Sequence, residues 1–292
     1  MTIDVVRANP SSLRQVFTKV RHAIERPTDR TILIALFASL FFLNYVAQLF
    51  DLSAGERLIF STSRTVSGAQ IIGFIAIAVV LKDLRADIVL RWFDLATIFA
   101  IAVATLHPWR SIGALAFSIL GILFICRSDK RLRSLGQLCL GLAWIDFWGP
   151  VVMGLINQWL LPIETALAQA PLSFFGSFSL AGNVIMGANG HDILVLEPCS
   201  AFRNTVAMAF IWLSLMKILR LDFSWWNLYI LGIGVAVVVL LNTARIAVMA
   251  YSYDQYVFWH LGPGLTIVKI AMLTLVLGIF YFGLRGQPAE AA

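Results

Sequence analysis

Eight apolar runs, separated by short polar or charged segments, organise this chain. They predict membrane-crossing helices at about 31–50, 68–81, 92–106, 111–126, 135–159, 201–216, 226–251 and 263–284. A helix needs about 17–25 apolar residues to cross a bilayer, fewer where neighbours bury it. The second, third and fourth runs are shorter than that, so their boundaries are soft. The fifth is interrupted by Asp146 and by Gly149-Pro150.

The charged segments carry the topology. Most of the 22 Lys and Arg residues fall in 1–30, 82–91, 127–134, 217–222 and 285–292. These segments share one side if the N-terminus lies in the cytoplasm, so the positive-inside rule predicts both termini inside. Segments 51–67, 107–110, 160–200 and 252–262 then face out. Within 160–200, residues 161–170 read as an amphipathic surface helix. Two β-prone runs, 178–186 and 191–196, flank Gly187-Ala188-Asn189-Gly190 and read as a hairpin, which forms a lid or a peptide-docking edge. The predicted class is an all-α polytopic membrane protein of about eight spans, with a small outer helix and β-hairpin before the sixth. Its parts are a cytoplasmic segment 1–30, one transmembrane domain 31–284 with the insert 160–200, and a cytoplasmic tail 285–292.

Composition agrees. Of 292 residues 60% are hydrophobic and 13% charged, which excludes an ordinary soluble domain. The net charge of +6 sits in the short loops and points to no nucleic-acid partner. Three cysteines, none in C-x-x-C spacing, exclude a disulfide framework and a cysteine-rich metal site. No metal or cofactor is expected. The first thirty residues lack an apolar signal region, so the first span is expected to be retained. No internal repeat is visible.

Candidate chemistry collects outside. In Leu196-Glu197-Pro198-Cys199-Ser200-Ala201 the cysteine stands at the entrance of the sixth helix, since Pro198 suits a helix start. Free backbone N–H groups and the helix dipole there are expected to lower a thiol pKa. Arg245 lies near the outer end of the seventh span, where an arginine is either a functional group or a headgroup anchor. Asn242 is one turn away on the same face and within reach to orient the guanidinium. His260 precedes the eighth span; His107 and His191 also face out and compete with it, while His22 does not. A thiol nucleophile needs a proton acceptor and donor and a cationic group for the oxyanion. Cys126 and Cys139 read as reduced core residues.

The order Cys199-Ser200-Ala201-Phe202-Arg203 after a hairpin, then Asn242-x-x-Arg245-Ile246, then His260 fifteen residues later, resembles the exosortase/archaeosortase family. The likeness covers about residues 140–275. That family consists of multi-spanning membrane transpeptidases, similar in residue set to Gram-positive sortases but not in fold. The resemblance implies Cys199 as nucleophile, Arg245 as oxyanion or substrate stabiliser and His260 as acid/base, with Asn242, Ser200 and Arg203 in support. It implies a substrate with a C-terminal sorting signal: a short motif such as Pro-Glu-Pro, an apolar span and a basic tail. Processing would occur on the periplasmic face of a bacterial inner membrane. The family usually has glycine where this chain has Ala201, which is expected to narrow the substrate's approach. Two other readings stand beside it: a transporter using Arg245, Asp146 and Glu164 as pathway charges, and a non-catalytic part of an exopolysaccharide export system.

Overall fold

The computed structural model describes residues 29–41, 67–84, 92–104, 110–187 and 190–285, and these are mostly helical. The expectations for 1–28, the outer half of the first span, segment 51–66, the turn 85–91, His107 and the tail from 286 lie outside the described residues. The helices are α1 Asp29–Phe41, α2 Gly68–Asp83, α3 Trp92–Ala104, α4 Arg110–Ile125, α5 Lys130–Ala143 and α6 Gly149–Leu172. A small sheet follows, β1 Phe178–Ala181, β2 Val184–Gly187 and β3 Asp192–Leu194. Then come α7 Ala201–Ile218, α8 Trp225–Tyr251, the short α9 Tyr253–Tyr256 and α10 Pro263–Leu284. Among the described residues three continuous helices are long and apolar enough to cross a membrane: Lys130–Leu172, Trp225–Tyr251 and Pro263–Leu284. Ser111–Ile125 is a shorter apolar helix. The protein is an integral membrane protein.

The first of those three joins α5 to α6 through a π-helical turn, Trp144–Trp148. The cause is local. Pro150 has no N–H to offer the carbonyl of Asp146, and its ring would crowd that carbonyl. One wider turn absorbs the mismatch, with Gly149 N–H bonding Trp144 O. The Asp146 carboxylate accepts from Gln70 Nε2 at 2.6 Å, and Gln70 and Ser67 form a capping box at the start of α2.

Two sequence expectations are corrected here. Residues 161–170 are not a separate surface helix; they continue α6, which runs unbroken through Pro162. Leu161, Glu164, Thr165, Ala168 and Leu172 form a buried stripe at helical spacing, so the amphipathic pattern faces protein rather than lipid headgroups. The expected hairpin is a three-stranded antiparallel sheet in the order β1-β2-β3. The run 178–186 itself folds back at Gly182-Asn183, with Ala181 opposite Val184. Gly182 takes φ 61°, the positive value that a two-residue type II′ turn requires at its first position.

Packing forms two apolar clusters. The larger lies among the helices and is keyed by small residues, as expected where helices meet in lipid. A Cβ added at Gly73 or Gly141 would come within 2.4 Å or 2.3 Å of the Phe210 ring, so this α7 side chain wedges between α2 and α5. The smaller cluster lies at the other end. Ile185, Ile193 and Val195 on the inner face of the sheet meet Met153, Leu161 and Ala168 of α6 and Ile246, Met249 and Ala250 of α8. Cys199 belongs to this second cluster.

Candidate active site

The chain reaches Cys199 through a single 3-10 turn, Glu197–Cys199, and enters α7 at Ala201. Ser200 is the N-cap; its Oγ accepts from Phe202 N at 3.1 Å. The predicted helix start is therefore observed to the residue. What holds it was not foreseen. Glu164, projecting from α6, accepts from Ser200 Oγ at 2.7 Å, Ala201 N at 3.1 Å and Phe202 N at 3.2 Å. A buried carboxylate thus occupies the anion site that the start of α7 creates.

From α8, Asn242 donates from Nδ2 to Cys199 O at 2.7 Å and accepts from Arg245 Nη1 at 3.5 Å. The same side chain fixes the cysteine's backbone and steadies the guanidinium, as the i, i+3 spacing predicted. Arg245 is 9% exposed, and its Nε has no hydrogen-bond partner among the described residues. His260 lies in a π-helical turn, Val257–Leu261, that ends where Gly262-Pro263 begins α10. Its Nδ1 is 3.7 Å from Cys199 Sγ, within reach of an S–H donor. Its ring stacks on Tyr256 with centroids 4.9 Å apart. His191 points elsewhere: Nε2 lies 3.2 Å from Met249 O, and the ring meets Tyr253 and Tyr256 edge-on.

Charge and burial set the resting protonation. Burial pushes the Cys199 thiol above its usual value and the Glu164 carboxylate adds to this; the Arg245 guanidinium and a backbone hydrogen bond from Leu196 oppose it without prevailing. His260 is held below the ordinary histidine value, first by burial and then by the Arg245 charge. Both partners are therefore neutral near pH 7. This reverses the expectation of a thiol lowered by the helix terminus. The first N–H groups of α7 are taken by Glu164 and Ser200, and the dipole faces a carboxylate rather than the sulfur.

Residues far apart in the chain, a sulfur, an imidazole and a guanidinium, meet here at the entrance of one helix. A family model for transmembrane exosortases matches residues 27–277. The chain belongs to the transmembrane exosortase family. No curated protein and no solved structure matches it.

The remaining site expectations of this exosortase-family chain sort by contact. Cys199, Asn242, Arg245 and His260 come together, and Ser200 is the buried cap beneath them. Arg203 is exposed on α7 and has no hydrogen-bond or ion-pair partner among the described residues. Ala201 is 2% exposed and its N–H is bonded to Glu164. Cys139 is buried, whereas Cys126 is exposed rather than part of the core. Among the described residues no group of three His, Cys, Asp or Glu side chains is placed to hold a metal. Glu164 and Asp146 serve helix ends and turns here.

Proposed function

We propose that this exosortase is a membrane cysteine transpeptidase that cleaves a C-terminal sorting signal from secreted proteins. The supporting observation is the Cys199 Sγ to His260 Nδ1 approach of 3.7 Å beside Arg245. In the first step Sγ attacks the scissile carbonyl carbon while its proton passes to His260 Nδ1. The developing oxyanion is stabilised by the Arg245 guanidinium, whose Nε–H has no partner among the described residues. The C–N bond breaks as His260 returns the proton to the leaving amine, and a thioester remains on Cys199. An acceptor amine, a hydroxyl group or water then attacks the thioester, giving its proton back through His260 to the sulfur. Asn242, Ser200 and Glu164 act as positioning residues through the Cys199 backbone and the α7 entrance.

In this proposal the site lies on the periplasmic face of a bacterial inner membrane, with lipid around the bundle and the apolar span of the substrate's tail beside it. Coexpression with a protein ending in motif, apolar span and basic tail tests the function. The wild-type chain should shorten that protein and Cys199→Ala should not; equal processing by the variant would overturn the reading.

A further inference from the structure

The mechanism leaves the outer edge of β3 unused. β3 pairs with β2 on one side, and no described residue pairs with the other. Parity follows from the register. Val195 N–H bonds Asn183 O at 2.9 Å, and Ile193 lies opposite Ile185, so these two residues turn their backbone groups toward β2. Asp192, Leu194 and Leu196 therefore turn their N–H and C=O groups away from it. Leu194 is 51% exposed and Leu196 50%. The edge then runs into the nucleophile: Leu196 O accepts from Cys199 N at 2.9 Å, and Leu196 directly precedes the 3-10 turn that carries Cys199. Among the described residues the Leu194 N–H and C=O are the last free pair before the sulfur.

We infer that the β3 edge, through the Leu194 N–H and C=O, binds the extended peptide segment carrying the scissile bond as an added fourth strand. The inference rests on the transpeptidase reading. That reaction requires a main chain beside the sulfur, and an unpaired edge recognises a main chain. A strand added there lies about 4.8 Å from β3 and passes the sulfur two residues beyond Leu194. Main-chain pairing also leaves alternate substrate side chains free of the sheet, so much of the recognition is independent of their identity.

The test uses the full-length protein and a substrate that it processes. Leu194→Pro removes the outward N–H and blocks the edge without removing a β2 ladder bond. It should lower kcat/KM at least about tenfold. The rate at which N-ethylmaleimide alkylates Cys199, in a Cys126→Ser background, should stay unchanged. Wild-type processing by Leu194→Pro would overturn the inference. A second measurement leaves the enzyme unaltered: synthetic peptides spanning the scissile bond carry one backbone N-methyl group at successive residues. Processing should fail at alternate residues; uniform tolerance or uniform loss would overturn the strand. The two readings fail differently. An active Cys199→Ala sinks the transpeptidase reading and the docking strand with it, whereas an inactive one beside an aperiodic N-methyl series sinks the strand alone.

Discussion

At the level of single residues, the cluster pairs a neutral thiol with a neutral imidazole and sets one cation beside both. His260 accepts a proton only when neutral, so activity is lost as pH falls through its pKa. Because that pKa is depressed, the acid limb of a kcat/KM profile should lie below pH 6.5, the ordinary histidine value. A limb at or above 6.5 would contradict the placement of Arg245 and the burial of the ring. Arg245 also favours the thiolate, so Arg245→Gln should move the Cys199 alkylation profile to higher pH. Glu164 acts in the opposite sense, and Glu164→Gln should move it lower. Arg245→Lys keeps the charge but loses the planar fork, and processing should fall about 10²- to 10³-fold. Full activity in that variant would reduce Arg245 to an anchor. The Asn242–Arg245 pair was legible because i, i+3 spacing follows from helix geometry alone. The raised thiol pKa was not, because it depends on what else reaches the helix end. That group, Glu164, lies 36 positions from Ser200. Its sequence signal was a carboxylate within a largely apolar helical stripe.

At the level of elements, the start of α7 depends on α6. Glu164→Ala would leave Ser200 Oγ and Ala201 N without their acceptor, at a cost of about 1–3 kcal/mol each if water cannot replace it. Thermal unfolding in detergent should show the loss, together with reduced processing. Helices α7, α8 and α10 were read from the sequence to within about two residues, because Pro198 announces one entrance and long apolar runs bound the others; Ser200 and Ser224 cap two of them and Pro263 opens the third. The small sheet was half legible. Asn189-Gly190 advertised a turn between strands, whereas Gly182-Asn183 lay inside what read as one continuous run. The separate outer helix was misread for a related reason: polar and apolar alternation reports a boundary, not whether lipid or protein lies across it.

At the level of the whole molecule, packing depends on absent side chains. Gly141→Ala or Gly73→Ala would drive a methyl group into the Phe210 ring and should cost about 1–3 kcal/mol. Adding Phe210→Leu should recover much of that loss, a coupling visible as non-additive unfolding midpoints. The sequence announces a membrane protein through its apolar runs, yet no run states which neighbour it meets. That information resides in pairs such as Gly73 with Phe210.

The rod from Lys130 to Leu172 spans 43 residues, about 65 Å at 1.5 Å per residue, against a hydrocarbon layer of about 30 Å. Glu164 rides on its far portion and sets how high the sulfur stands. A substrate anchored by its own greasy tail would then be measured as if against a fixed stop. Lengthening its spacer between bond and anchor by three residues shifts the target by up to about 10 Å, and such a substrate should go uncut.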